Sequence, residues 1–174
     1  MASKLRVDSI LPVDGAPTNG GGGIVQIVSS TKTGRQESTS ATFADVTDMS
    51  VSITPKFSSS KMYIAVNTHV GGVSAAYIGF KVLRDSTVVT QGTHPTGNRT
   101  PLSFGGRIDA DYDNYMMAFN FLDSPSTTSA TTYKVQFASI VSSRKVVVNG
   151  TGDDANEAYT LSGTSTISVM EVSA

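Results

Sequence analysis

Met62-Tyr63-Ile64-Ala65-Val66-Asn67-Thr68-His69-Val70 alternates residue by residue. Met62, Ile64, Val66, Thr68 and Val70 share one side, and Tyr63, Ala65, Asn67 and His69 share the other. A period of two is the mark of a pleated strand with one buried face, because successive side chains point to opposite sides. The same period recurs outward from this stretch. Met49-Ser50-Val51-Ser52-Ile53 alternates and stops at Thr54-Pro55. Ile78, Phe80 and Val82 form one face of a strand ending near Arg84-Asp85-Ser86, and Thr87-Val88-Val89-Thr90 returns as a hairpin. Tyr115, Met117, Phe119 and Phe121 alternate, as do Tyr133, Val135, Phe137 and Ser139 after Asp123-Ser124-Pro125-Ser126. Ile24 to Val28, Lys145 to Asn149 and Thr166 to Val172 complete the set.

No long segment carries apolar residues at helical spacing. About eight or more short strands separated by Gly, Pro, Ser and Thr clusters need two facing sheets to bury their one-sided faces. The expected fold is all-β: an antiparallel jelly-roll β-sandwich over residues 24–174, preceded by an N-terminal arm and Gly-rich hinge over residues 1–23. No internal repeat suggests a propeller or solenoid.

The arm, Ser3-Lys4-Leu5-Arg6-Val7-Asp8-Ser9-Ile10-Leu11-Pro12-Val13-Asp14-Gly15, leads to Gly20-Gly21-Gly22-Gly23. Its few large apolar side chains do not offset the conformational entropy of ordering such a segment alone in water. Two readings stand side by side. In one, the arm orders against a partner that supplies burial and strand hydrogen bonds, with Leu5, Val7, Ile10 and Leu11 docking it. In the other, it is a first strand of its own domain.

Composition narrows the function classes. The chain has 174 residues and no cysteine, so disulfides, thiolate nucleophiles and Cys-based zinc sites are excluded. Thirteen basic residues against 14 acidic ones argue against a dominant phosphate-binding surface, and no nucleic-acid partner is expected. No apolar run approaches a membrane span, and the N-terminus lacks the apolar core of a secretory signal. Charged residues make up 16%, low for a free surface. The outward strand faces are therefore rich in Ser, Thr, Asn and Ala. Ala65, Asn67, Ala118, Asn120, Gln136 and Ala138 are candidates for a subunit contact in a homo-oligomer.

Chemical motifs are sparse. Asp109-Ala110-Asp111-Tyr112-Asp113-Asn114 has the spacing that opens a calcium loop, but Asn114 replaces the loop glycine and Asn120 the bidentate Glu. A solvated turn before a strand fits better, and the same holds for Asp153, Asp154 and Glu157. His69 and His94 lack metal-ligand spacing. The glycine run has no Gly-Lys-Ser/Thr after it. Asn98-Arg99-Thr100 and Asn149-Gly150-Thr151 match a glycosylation acceptor pattern that has meaning only on a secretory route. No Gly-x-Ser-x-Gly occurs, and paired carboxylates for glycoside cleavage would be legible only in space. No enzyme, cofactor or metal is expected. The stretch from Thr93 to Asn114 reads as the longest irregular segment, with His94, Asn98, Arg99, Tyr112 and Asn114 as candidate receptor-binding residues.

The order and spacing of several segments resemble marine, cyanophage-like bacteriophage virion structural proteins and tail-fibre knobs. These segments are Ser3-Lys4-Leu5-Arg6-Val7-Asp8-Ser9-Ile10 with Gly15, Ile53-Thr54-Pro55, Ser58-Ser59-Ser60-Lys61 and Leu83-Arg84-Asp85. Phe121-Leu122-Asp123-Ser124-Pro125, Thr131-Thr132-Tyr133-Lys134-Val135 and Met170-Glu171-Val172 extend the resemblance over nearly the whole chain. It implies a virion component assembled in the bacterial host cytoplasm, a trimer, and attachment to another virion protein through the arm. Family members carry the knob on a longer shaft, whereas here the arm runs into the body after the glycines. Two expectations follow. One is a short tail-fibre-like or tail-tip component contacting a host surface glycan or protein. The other is a capsid decoration or head-fibre protein that stabilises the shell.

Overall fold

The computed structural model describes residues 23–93, 97–141 and 143–173. In chain order its strands are β1 (Ile24–Lys32), β2 (Gln36–Ser38), β3 (Ala44–Ile53), β4 (Lys61–Gly72), β5 (Ala76–Arg84) and β6 (Thr87–Val88). They continue as β7 (Phe104–Ile108), β8 (Asn114–Asp123), β9 (Thr131–Ser139), β10 (Val146–Val148) and β11 (Ser165–Val172). No helix occurs among the described residues.

All pairings are antiparallel, and they build two sheets. The first runs β1-β11-β4-β8. The second runs β3-β9-β5-β7. Numbered among these eight principal strands, the orders are 1-8-3-6 and 2-7-4-5, the wrap of a jelly roll, as expected. The short β10 continues the first sheet beside β4, at the end that β11 leaves unpaired, and carries β2. The short β6 closes a hairpin on β5.

The core lies between the sheets and is filled by the inward set of each alternation. Met62, Ile64, Val66 and Val70 from β4 meet Ile78, Phe80 and Val82 from β5, with Tyr133, Val135 and Phe137 from β9. Ile167 and Val169 close it from β11. A stacked aromatic file crosses toward the open edge. Phe80 and Phe104 lie 4.6 Å apart, Phe104 and Phe119 5.5 Å, and Phe119 and Phe121 6.4 Å. Such aromatic pairs add stability beyond the area they bury.

Three local devices set the details. Asp48, at φ 62°, forms a bulge where the β3–β9 register shifts between Asp45 and Ser50. Five residues along β3 there match two along β9, and the three extra let Val46, Met49 and Val51 all face inward, a spacing that strict alternation forbids. Asn149, read as a possible glycosylation acceptor, is buried, and its Nδ2 donates to Lys32 O at 2.8 Å. That amide is a structural tie and is closed to modification. Gly23, the last of the glycine run, accepts the Ser173 amide at 2.9 Å, so the body begins clasped to the end of β11. Residues 1–22, with the arm and Leu5, Val7, Ile10 and Leu11, lie outside the described residues.

Candidate functional sites: a neutral patch on one sheet and a groove on the opposite sheet

The outer face of the first sheet is ordered in rows by the strand register. One row is Ile27, Met170, Tyr63 and Leu122. The next is Ser29, Ser168, Ala65 and Asn120, and the third is Thr31, Thr166, Asn67 and Ala118. His69 and Met116 pair beyond them. None of these side chains carries a formal charge with His neutral. Ile27, Leu122 and Met116 are each more than half exposed, at 55%, 52% and 62%. In the centre the Ser29 and Ser168 hydroxyls hydrogen-bond across the strands at 2.9 Å. A four-stranded face with exposed apolar ends and a small, neutral middle loses little hydration on meeting another protein surface. Charge begins at the ends of this sheet, with Lys61 of β4 beyond Tyr63 and the Arg35–Glu37 pair at β2; elsewhere Asp45 pairs with Lys134 on the second sheet and Arg84 with Asp123 at the sandwich edge.

Four of the six residues expected at a subunit contact, Ala65, Asn67, Ala118 and Asn120, meet on this face. Gln136 belongs to the second sheet, where its amide donates to Asp45 Oδ1 at 2.7 Å. Ala138 also belongs to the second sheet and is fully buried. Strand parity shows which residues share a face within one strand, but not which sheet a strand joins.

The segment from Thr93 to Asn114 is not continuously irregular. Phe104–Ile108 pairs with β5 as an edge strand. The insertion separates the candidate receptor residues. Asn98 and Arg99 line a groove on the outer face of the second sheet. Tyr112 instead joins the loop between β10 and β11, where its ring meets Tyr159 edge-on at 5.0 Å. The charge of Asp153 beside it pushes its phenol up. Asn114 is the first residue of β8 and its Oδ1 lies 2.9 Å from His69 Nδ1. His94 lies outside the described residues.

The acidic turn is occupied with its own backbone. Asp113 Oδ2 accepts the amides of Ala110 at 2.7 Å and Asp109 at 3.1 Å. Asp111 Oδ1 accepts the Ser74 amide at 2.6 Å. A hydrogen bond from Tyr115, and then these backbone bonds, hold the Asp113 carboxyl below its ordinary value. No group of three or more metal-ligating side chains gathers among the described residues.

The groove has a floor, two walls and a lip. Gly79 of β5 and Gly105 of β7 face each other across the strands, and Tyr77 faces Arg107 one pair along. A Cβ on Gly79 would stand 2.6 Å from Ile140 Cδ1 and from Leu102 Cδ2. The bare floor is therefore what lets those two side chains settle on the sheet. The Arg107 guanidinium lies 6.0 Å from the Tyr77 ring centre, and its Nη1 also pairs with Asp109. The space enclosed with Asn98, Arg99 and Thr100 is about 480 Å³. Residue order did not single out Tyr77 or Arg107. The signal that could have found them is the glycine inside each of two strands, a mark of close approach.

No protein-family model matches the chain, and no curated protein sequence does either. Among solved structures, the chain superposes on one from the Gx strain of infectious bursal disease virus with a TM-score of 0.43 and 14% identity. It superposes on a mutant VP2 protein of infectious bursal disease virus, in derived T=1 particles, with a TM-score of 0.45 and 11% identity. These matches cover 100% and 98% of this chain but 42% and 41% of the others, so the chain spans about two fifths of their length. At that degree of superposition the two likenesses assign neither a family nor an activity to the chain.

Proposed function

We propose that the chain is a virion structural protein: a homo-oligomeric, most simply trimeric, short tail-fibre-like or tail-tip component that attaches a phage to its host surface. The observation that carries this reading is the neutral outer face of β1-β11-β4-β8. A patch of three neutral rows across four strands suits subunits packed side by side. The order of strand and turn segments that resembles phage fibre knobs supports the virion context and the number three. In this reading the neutral face joins subunits, the second sheet looks outward with its groove and loops, and the arm docks on another virion protein.

The test is a stained gel of purified virions with the copy number of this chain measured against the major capsid protein. Copies in the tens, in a multiple of three, are expected for a tail component. Copies in the hundreds would replace this reading by the capsid-decoration one. Absence from the particle would overturn both.

A further inference from the structure

The groove on the second sheet has a chemistry of its own. Bare backbone at Gly79 and Gly105 seats the Leu102 and Ile140 side chains, which cover it. One wall is apolar, from Leu102 and Ile140, and the other is the Tyr77 ring, 42% exposed, with the Arg107 guanidinium beside it. Arg99 adds a second guanidinium at the lip, beside Asn98 and Thr100. The volume of about 480 Å³ is that of an ordinary small-ligand site.

We propose that this groove binds a carboxylated pyranose, such as a uronate, at an exposed end of a surface polysaccharide. The proposal rests on the attachment reading and names its ligand class. A sugar ring has an apolar C–H face and a polar rim. An exposed phenol ring offers the flat apolar partner for the first, with a hydroxyl at its edge for the second. Two guanidinium groups at one groove match a carboxylate better than a neutral sugar, because an Arg fork and a carboxylate pair bidentately. The pairing with Asp109 engages Nη1 of Arg107, and a guanidinium has five N–H donors in all.

The experiment is calorimetric titration of the full chain with galacturonate and glucuronate trisaccharides, with neutral galactose trisaccharide and inorganic phosphate as comparisons. At least one uronate is expected to bind about tenfold or more tighter than the neutral sugar and than phosphate. Tyr77→Ala and Arg107→Gln are each expected to weaken that binding about tenfold, while both variants keep the wild-type circular dichroism. Asn120→Arg, on the other sheet, should leave it unchanged. Equal affinity for the neutral sugar, tighter binding of phosphate, or indifference to both groove variants would overturn the proposal. So would binding of no saccharide, with Tyr77 resonances shifting on self-association, which would make the groove a subunit contact. Uronate binding by a chain absent from virions would sink the attachment reading and leave the groove standing. A virion-borne chain that binds no uronate would do the reverse.

Discussion

Single residues hold this sandwich together where the apolar pattern gives no support. Glu171 is fully buried on β11, on the inward side of a strand otherwise lined by Ile167 and Val169. Its carboxylate accepts Gln26 Nε2 at 2.6 Å and the amides of Lys56 at 2.8 Å and Phe57 at 3.3 Å. Burial acts to raise this carboxyl, but the hydrogen bonds together outweigh it and hold it below its ordinary value. A folded-state value below the unfolded one contributes stability that is present above about pH 4.3 and lost as pH falls through the folded value. Glu171→Gln should therefore cost about 1–3 kcal/mol at neutral pH and flatten the acid limb of stability. Urea midpoints from pH 7 down to pH 3 check both. Asp48 is a second case, since it holds a left-handed backbone in mid-strand. Asp48→Gly should be close to neutral, whereas Asp48→Val should cost about 1–2 kcal/mol. Thermal unfolding of the pair separates the backbone effect from any side-chain contact.

Elements are legible in proportion to how one-sided their burial is. β4 and β9 each bury alternate residues, the same ones that sort by parity in the sequence. β7 was missed because Phe104-Gly105-Gly106-Arg107-Ile108 carries two residues that disfavour strands. It forms because β5 offers it an edge and because Phe104 completes the aromatic file. β2 is three residues long, too short for a period to show. The same logic explains why the contact face was partly legible and the groove was not. Ala65 and Asn67 declare their side within one strand, while Tyr77 meets Arg107 only through pairing between strands distant in sequence. Phe80, fully buried between Phe104 and Phe137, is the keystone of the aromatic file. Phe80→Ala should cost about 3–5 kcal/mol, and Phe121→Ala, half-buried at the open edge, clearly less. Equal losses by chemical denaturation would mean that the file does not end at the edge. Removal of residues 2–15 tests the arm: an unchanged melting temperature with loss of incorporation into particles is expected. A body that no longer folds would make the arm a strand of the sandwich, and normal incorporation would place docking on the body.

At the scale of the whole molecule, the two sheets divide the work. The first sheet turns a neutral patch outward, and the second carries the groove and the Asp45–Lys134 and Arg107–Asp109 pairs. That asymmetry is the reason for reading the first as a contact between copies and the second as the surface left for a host. A charge placed in the neutral middle should act on assembly alone. Asn120→Arg, or Ala65→Arg beside it in the register, should dissociate the oligomer while the fold is kept, because an unpaired buried charge at an interface is strongly unfavourable. The most direct measurement is sedimentation velocity of the wild-type chain and Asn120→Arg at tens of micromolar. The account predicts a wild-type species of three times the 18.2 kDa chain mass and a folded 18.2 kDa variant. A wild-type chain that sediments as an 18.2 kDa monomer would contradict it.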